Sequence, residues 1–529
     1  MLVCLLAGLC PIKHIFVTQV ADGVHADALE WALTHLLKYG DTDFLPVPFE
    51  YQAIKADWPA IRPKLEARDL LDGLLGANVH FLVPKPEGAF RVVTRLDPLD
   101  ALLYTSAIYE CASTIEASRA APTIACSYRI DPAPDGRLFA TGNAWDVWTQ
   151  RSVELLHARE VTYVVTADIS DFYSQIGHHR IRNALENAGV SQSRAQALEK
   201  ILGRWSALQS RGVPVGPQAS IILAEASIND VDQYLASKGY QHLRYVDDFR
   251  IFCRSYAESI RAVHDLCDYL FTSHRLALQP NKTRTYKKAT FAKRVVENPE
   301  FIEQKRKTAK INEAVQAWQD VGYSVTADDL NASEIKLNVL VELFTECVKA
   351  RPLKLGLSRY LFRRADLRTS RIQKLTLDSL GVLVPVLRDA FFYLRKSRQE
   401  KSAARVAERL LRFGLESDYS FLPYLQEWVV DALANNFADV CKPGDLLRLA
   451  HSAKASMGLR GEALLAKARG DISWLRQYKE RWRNCGPWDR RAVIWAGSVL
   501  KDDERHAWRK VVLETEDTLD RAVAMAALR

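Results

Sequence analysis

The chain has 529 residues, of which 48% are hydrophobic, 26% charged and 9% aromatic, with only 24 Gly and 20 Pro. That length accommodates two to four domains of roughly 100–200 residues, and the composition excludes a disordered, fibrous or small disulfide-stapled protein. Lys and Arg number 72 against 64 Asp and Glu, a net charge of +8 that is compatible with a polyanionic partner but leaves its identity to the local distribution of charge.

The opening Met1–Pro11 is apolar and short, has no basic start and no Ala-x-Ala-like site before His14. It is therefore predicted to be a buried strand or helix rather than a signal peptide. No other run approaches the ~18–20 apolar residues that a membrane span requires. The nine cysteines are odd in number, widely spaced and form neither a Cys-x-x-Cys pair nor a Cys/His cluster. This predicts a reducing, cytoplasmic setting and argues against structural zinc.

To about residue 300, helical and strand patterns are mixed. Val161–Ser170 (VTYVVTADIS) is a β-branched run that ends in Asp168, which reads as a buried strand presenting a carboxylate at its exit. In His242–Cys253 (HLRYVDDFRIFC), two acids interrupt two short β-prone runs, so a tight hairpin would carry Asp247 and Asp248 at its tip. Crowding such acids in apolar surroundings is unfavourable unless a cation compensates. Hard Mg²⁺ suits carboxylate oxygens, with Mn²⁺ as the alternative, and two ions about 3.5–4 Å apart could clamp both oxygens of an in-line phosphoryl transfer. The pairs Asp328-Asp329 and Asp502-Asp503 lack strand flanks and read as solvated turn or helix-start acids. Between strand and hairpin lies Gly212–Glu225 (GVPVGPQASIILAE), a Gly- and Pro-rich loop that fixes a special backbone path and leads into a helix. His178 and His179 read as structural or backbone-contacting.

The remainder reads almost wholly as helices. We expect the boundary between Pro299 and Ser333, with residues 1–300 and 310–529 as the two domains and Ser333 as an N-cap. After it, Leu337, Leu340, Val341, Phe344 and Val348 form one apolar face. Amphipathic blocks recur at Arg371–Lys396, Ala403–Phe413, Tyr419–Asn435, Leu446–Met457, Ile472–Trp482 and Arg491–Leu500, which suggests a bundle or irregular helical solenoid. Arg351–Lys374 carries eight basic residues, among them Arg359, Arg363, Arg364 and Arg368, against one acid, with Tyr360 and Phe362 interleaved. That is the composition of a phosphate-tracking surface with stacking rings; a solvated helix face is the alternative.

Taken in order, Asp168–Tyr173, Gly212–Glu225, Tyr245–Asp248 and Leu276–Thr283 (LALQPNKT) resemble motifs A, B, C and D of the reverse transcriptases, and Val83–Thr94 is similar to their fingers hairpin. The implied fold is α+β, a fingers-palm core of the right-hand polymerase type followed by an all-α, helical-repeat-like region. The implied activity is two-metal nucleotidyl transfer from deoxynucleotides, with Asp168, Asp247 and Asp248 as catalytic metal ligands. The same carry-over gives Arg91 to the triphosphate, Asp171 and Phe172 to the triphosphate and sugar, Tyr173 to a steric gate against the ribose 2′-hydroxyl, and Lys282 to the pyrophosphate leaving group. Gly216 and Gln218 belong to the nucleotide site through motif B. Val215 stands where many relatives carry Gln, so that polar contact is missing or comes from Gln218.

Thr42–Glu50, Ser127-Tyr128-Arg129, the Gly-x-Pro-x-Gly-Pro form of motif B and the helical second half resemble the bacterial abortive-infection enzymes and related defence-associated reverse transcriptases of the unknown-group class. This implies antiphage defence, a homo-oligomer, and DNA synthesis that can be protein-primed and untemplated, leaving product DNA covalently attached. The alternatives are a conventionally RNA-templated enzyme of retron or intron type, with a template or noncoding RNA as partner, and a catalytically silent nucleic-acid-binding scaffold.

Overall fold

The computed structural model describes residues 23–71, 76–86, 88–142, 144–206, 209–296, 327–364 and 370–528. Met1–Pro11 and the expected junction after Pro299 lie outside the described residues.

Two sheets organise the first part. A hairpin pairs β1 (Val79–Pro84) with β2 (Phe90–Arg95), Leu82 opposite Val92. Its period-2 pattern buries Phe81, Val83 and Val93 on one face and leaves Leu82, Phe90 and Val92 exposed on the other. The second sheet, all antiparallel, has the order β4 (Gln241–Tyr245), β5 (Asp248–Cys253), β3 (Tyr163–Asp168), β6 (Arg284–Lys287). Its β-branched and aromatic residues suit a strand buried on both faces. One face, with Val165, Ala167, Phe249 and Ile251, packs on helices Gln218–Ser227 and Tyr256–Tyr269 in the main core. The other, with Val164, Leu243 and Phe252, packs on helix Ala144–Leu156 and Phe291.

From residue 327 onward the described residues form helices only, and they share cores with the first part. Leu45, Phe81, Val83 and Val93 belong to one core with residues from Leu340 to Leu465. Three buried ion pairs cross the same seam. Arg95 donates to Glu427 at 3.0 Å, Arg460 grips Glu50 at 2.7 and 3.0 Å, and Arg491 meets Asp97 at 2.6 Å. The α+β architecture with a helical second half is the observed one.

Several local expectations are corrected. Ser333 is not an N-cap: the helix runs Ala327–Lys349 and starts six residues earlier, so Ser333 lies inside it. Arg371–Lys396 is not one helix but two, Ser370–Asp378 and Leu387–Lys396, separated by a turn containing Gly381 and Pro385. Phe362 is no stacking ring. It is 5% exposed and packs between Phe344 and Tyr393 at centroid distances of 5.3 and 5.6 Å.

Candidate active site

Strand pairing brings the three acids together. Asp168, the last residue of β3, sits directly opposite Asp248, the first of β5, and Tyr245–Asp248 closes the hairpin over the two turn residues Val246 and Asp247. The hairpin tip is therefore Val246-Asp247, with Asp248 already in the strand. Ligand oxygens of Asp168, Asp247 and Asp248 lie within 4.8 Å of one another. Asp247 is pushed up to about 6, first by burial and then by Asp168, and Asp248 to about 7 by burial, Asp247 and Asp168. Among the described residues, the one ammonium against them is Lys282, whose Nζ donates to Asp168 Oδ2 at 2.7 Å. Its loop is tied down by the Gln279 N–H, which donates to the Asp168 carbonyl at 2.7 Å. Three hard-oxygen ligands, two of them with raised pKa values, fit a divalent cation, which would relieve their mutual repulsion.

The predicted nucleotide-side residues stand on three elements: the turn and short helix after β3, strand β2, and the motif B loop with the helix it opens. Asp171 has a left-handed φ of 47° and accepts a hydrogen bond from Ser174 Oγ at 3.0 Å, starting the short helix Phe172–Gln175. Phe172 is buried, and Tyr173, edge-on to it at 5.5 Å, is partly buried. Burial raises the Tyr173 phenol well above its usual pKa; Tyr128, Glu225 and Asp247 add to the shift and Arg91 opposes it. Arg91 is itself exposed but shares the hairpin face of Val83 and Val93, with its guanidinium 5.5 Å from the Phe44 ring. The motif B loop is anchored by the Val213 N–H on the Tyr173 carbonyl at 2.9 Å and by the Thr94 N–H on the Val215 carbonyl at 2.8 Å. Gly216 is required there: its φ is 130°, and a Cβ at that position would stand only 3.0 Å from the Thr42 side chain. Val215 packs against the core shared by the β1–β2 hairpin and the second-half helices, which accounts for an aliphatic residue at that position. Gln218 opens helix Gln218–Ser227 and is partly exposed. His178 is structural, its Nε2 2.7 Å from the Gly212 carbonyl oxygen.

Sequence reasoning missed what holds the hairpin turn. Val246 has φ 57°, a conformation unfavourable for a β-branched residue and stable only when its surroundings enforce it. Its N–H donates to Ser127 Oγ at 2.8 Å, and its carbonyl accepts from Arg244 Nη1 at 3.0 Å. Ser127 Oγ in turn donates to Glu225 at 2.7 Å, and Arg119 and Arg244 both donate to the other oxygen of Glu225. Arg244, fully buried, also grips both oxygens of Asp232, its Nε reaching Oδ1 at 3.1 Å and its Nη2 reaching Oδ2 at 2.7 Å. Burial pushes Asp232 up, but Arg244 and His242 outweigh it and hold that carboxyl down at about 2. Beyond the acids, on the same sheet face, Arg250 stacks 3.5 Å over Trp148 and donates to Ser152 at 2.7 Å, while Tyr245 packs between Trp145 and Trp148.

Residues 125–310, which contain all three acids, the loop and Lys282, match the family described as reverse transcriptase (RNA-dependent DNA polymerase). The chain carries a reverse-transcriptase domain. Solved structures similar to the chain include the telomerase of Candida albicans in complex with a fragment of telomeric RNA and the apo telomerase of Candida tropicalis. The first is 12% identical, with a TM-score of 0.30, over 81% of this chain and 71% of that one. The second is 10% identical, with a TM-score of 0.31, over 78% and 72%. Likenesses that slight carry no argument about activity. No curated protein matches the chain.

The domain indicates the nucleotidyl-transfer activity of RNA-directed DNA polymerases, and such domains generally use divalent metals. Of the residues expected to follow nucleic acid beyond the domain, Arg359 is partly exposed with its Nε 3.6 Å from Asp389. Arg363 and Arg364 end helix Leu355–Arg364, but their side chains, like all of Arg368, lie outside the described residues. Among the described residues no helix is long and apolar enough to cross a membrane.

Proposed function

We propose that the chain is a DNA polymerase that joins deoxynucleotides with two Mg²⁺ ions, in bacterial antiphage defence by abortive infection, and that its synthesis is protein-primed and untemplated. The observation that carries the catalytic part is the carboxylate cluster of Asp168, Asp247 and Asp248 on one strand end and one hairpin, inside 4.8 Å. The defence role rests on the motif resemblance, chiefly the Gly-x-Pro-x-Gly-Pro loop and Ser127-Tyr128-Arg129.

Bound to the three carboxylates, the metals would lower the charge on the triphosphate and activate the attacking hydroxyl. The chain's own groups supply the rest. Arg91 on β2 binds triphosphate oxygens, Lys282 neutralises the leaving pyrophosphate, and Asp171 and the backbone of Phe172, whose ring is buried, line the nucleotide. Tyr173 fills the space under the sugar C2′, so ribonucleotides are excluded by contact rather than by hydrogen bonding.

Purified protein incubated with Mg²⁺ and each labelled deoxynucleotide, without template or primer, is expected to give label that migrates with the polypeptide and collapses on DNase treatment. Asp247→Ala should abolish it. Label that depends on added RNA and primer would instead make the enzyme conventionally templated. Tyr173→Ala is expected to lower the preference for deoxy- over ribonucleotides by about tenfold or more, a difference of at least ~1.4 kcal/mol, measured as the ratio of kcat/KM values for the two sugars.

A further inference from the structure

A cavity of about 160 Å³ lies where the β1–β2 hairpin meets the second-half helices. Its apolar walls are Val79 and Phe81 from β1, Pro423 from helix Pro423–Asn436, Met457, and Trp488 from helix Pro487–Ala496. Four charged side chains complete it: Arg95 at the end of β2, Glu427, Arg460 from helix Leu459–Arg469, and Asp489. Arg95, Glu427 and Arg460 are 2%, 8% and 6% exposed. Pro423, Met457, Trp488 and Asp489 are partly exposed and mark the side on which the cavity reaches solvent. None of these residues holds metal, triphosphate or sugar in the polymerase site.

The terminal nitrogens of both guanidiniums are already committed. Arg95 donates to Glu427 Oε2 at 3.0 Å and to the Pro46 carbonyl at 2.6 Å, and Arg460 donates to both oxygens of Glu50 at 2.7 and 3.0 Å. The carboxylates keep acceptors to spare. Asp489 Oδ1 accepts the Arg460 N–H at 2.8 Å, but among the described residues Glu427 Oε1 and Asp489 Oδ2 accept no hydrogen bond. On a residue as buried as Glu427, such an oxygen calls for a donor. Two carboxylates stand against two guanidiniums in the lining, so a neutral guest is favoured over either ion. Size restricts it further: a cavity of about 150 Å³ takes one six-membered ring, and Phe81, Met457 and Trp488 offer that ring aromatic and sulfur contacts. A carboxylate is the partner of the cytosine N4 amine, whereas uracil and thymine would turn the O4 acceptor towards it. We propose that this cavity binds the aminopyrimidine ring of cytosine, with the N4 amine donating to Glu427 Oε1 and the sugar at the open side beside Asp489. The ring comes from a free cytosine nucleoside or nucleotide, or from a bound strand that turns one base out of its stack. Either occupant ties the hairpin that carries Arg91 to the second-half helices.

The test titrates cytidine, uridine and adenosine against the full chain in chelator, where no metal can seat a triphosphate, and reads the rise in melting midpoint. Cytidine is expected to bind at least about tenfold more tightly than uridine, and adenosine, too large for the cavity, to give no shift. Oligonucleotides of cytosine and of thymine separate the two sources. A cytidine shift assigns the site to the free nucleoside, and a preference for the cytosine strand without a cytidine shift assigns it to a strand. Glu427→Gln supplies a signature that mere destabilisation would not give. Arg95 holds the amide oxygen, which turns the NH₂ into the cavity, so cytosine should lose at least about tenfold while uracil or thymine gains. Met457→Trp, which fills the cavity and touches no ion pair, should abolish the response in a chain that still melts cooperatively. The proposal is overturned if the wild type prefers neither cytidine nor the cytosine strand, or if the preference survives unchanged in either variant.

Discussion

Asp248→Asn is expected to abolish nucleotide incorporation, by about a thousandfold or more, and at the same time to make the metal-free protein more stable. Asp248 is held near 7 by burial and by Asp247 and Asp168. Its carboxyl is thus harder to ionise in the folded chain than in the unfolded one. Below the usual carboxylate range both states are protonated and nothing is lost. As pH rises from about 4 to 7 the unfolded chain ionises first, and the fold loses stability progressively, fully so above 7. An asparagine escapes that loss, so melts at pH 8 in chelator should show the variant higher by about 1–2 kcal/mol, with the gap closing towards pH 4. Millimolar Mg²⁺ should then raise the wild-type midpoint and leave the variant much less affected, because binding to the native state alone is what shifts it. Equal Mg²⁺ shifts in both proteins would mean that the carboxylates are not the metal site.

The largest loss of stability is expected from Arg244→Met. The buried guanidinium holds Asp232 through both carboxylate oxygens, Glu225 at 2.8 Å and the Val246 carbonyl at 3.0 Å. Removing it leaves buried Asp232 with His242 alone, takes one of two guanidinium partners from Glu225, which keeps Arg119 and Ser127, and frees the turn that carries Asp247, a cost of about 3–5 kcal/mol. Arg244→Lys should not restore activity, since one ammonium cannot reach three acceptors in a fork. Adding Asp232→Asn and Glu225→Gln to Arg244→Met should recover much of the stability but little of the incorporation, because the strained Val246 conformation is no longer enforced. Denaturation midpoints and incorporation rates of the three variants test this; full activity in the triple variant would show that the network only stabilises the palm.

The acids are legible in the sequence because each stands at the end of a β-prone run, a local pattern that fixes its position. The hairpin and loop are legible for the same reason. The network around Arg244 is not, since Arg119, Ser127, Glu225, Asp232 and Arg244 converge only through tertiary packing and each, alone, reads as an ordinary polar residue. Arg244 even sits on a short strand where alternation predicts a solvated side chain. The helical half is legible as helices but not in its breaks or faces: periodicity carries straight through Gly381 and Pro385, and Phe362 groups by composition with its basic neighbours although its ring faces the core.

The pairs Arg95–Glu427, Glu50–Arg460 and Asp97–Arg491 join residues more than 300 positions apart, each with a buried charge on both sides. A chimera that spliced this palm onto a helical region lacking these partners would leave Glu50 and Asp97 without counterparts, Arg95 with Asp41 alone, and an apolar strip at Phe81, Val83 and Val93 uncovered. The two regions must therefore be inherited as a unit, and recombination within the family can exchange them only where the arginines and acids on both sides arrive together.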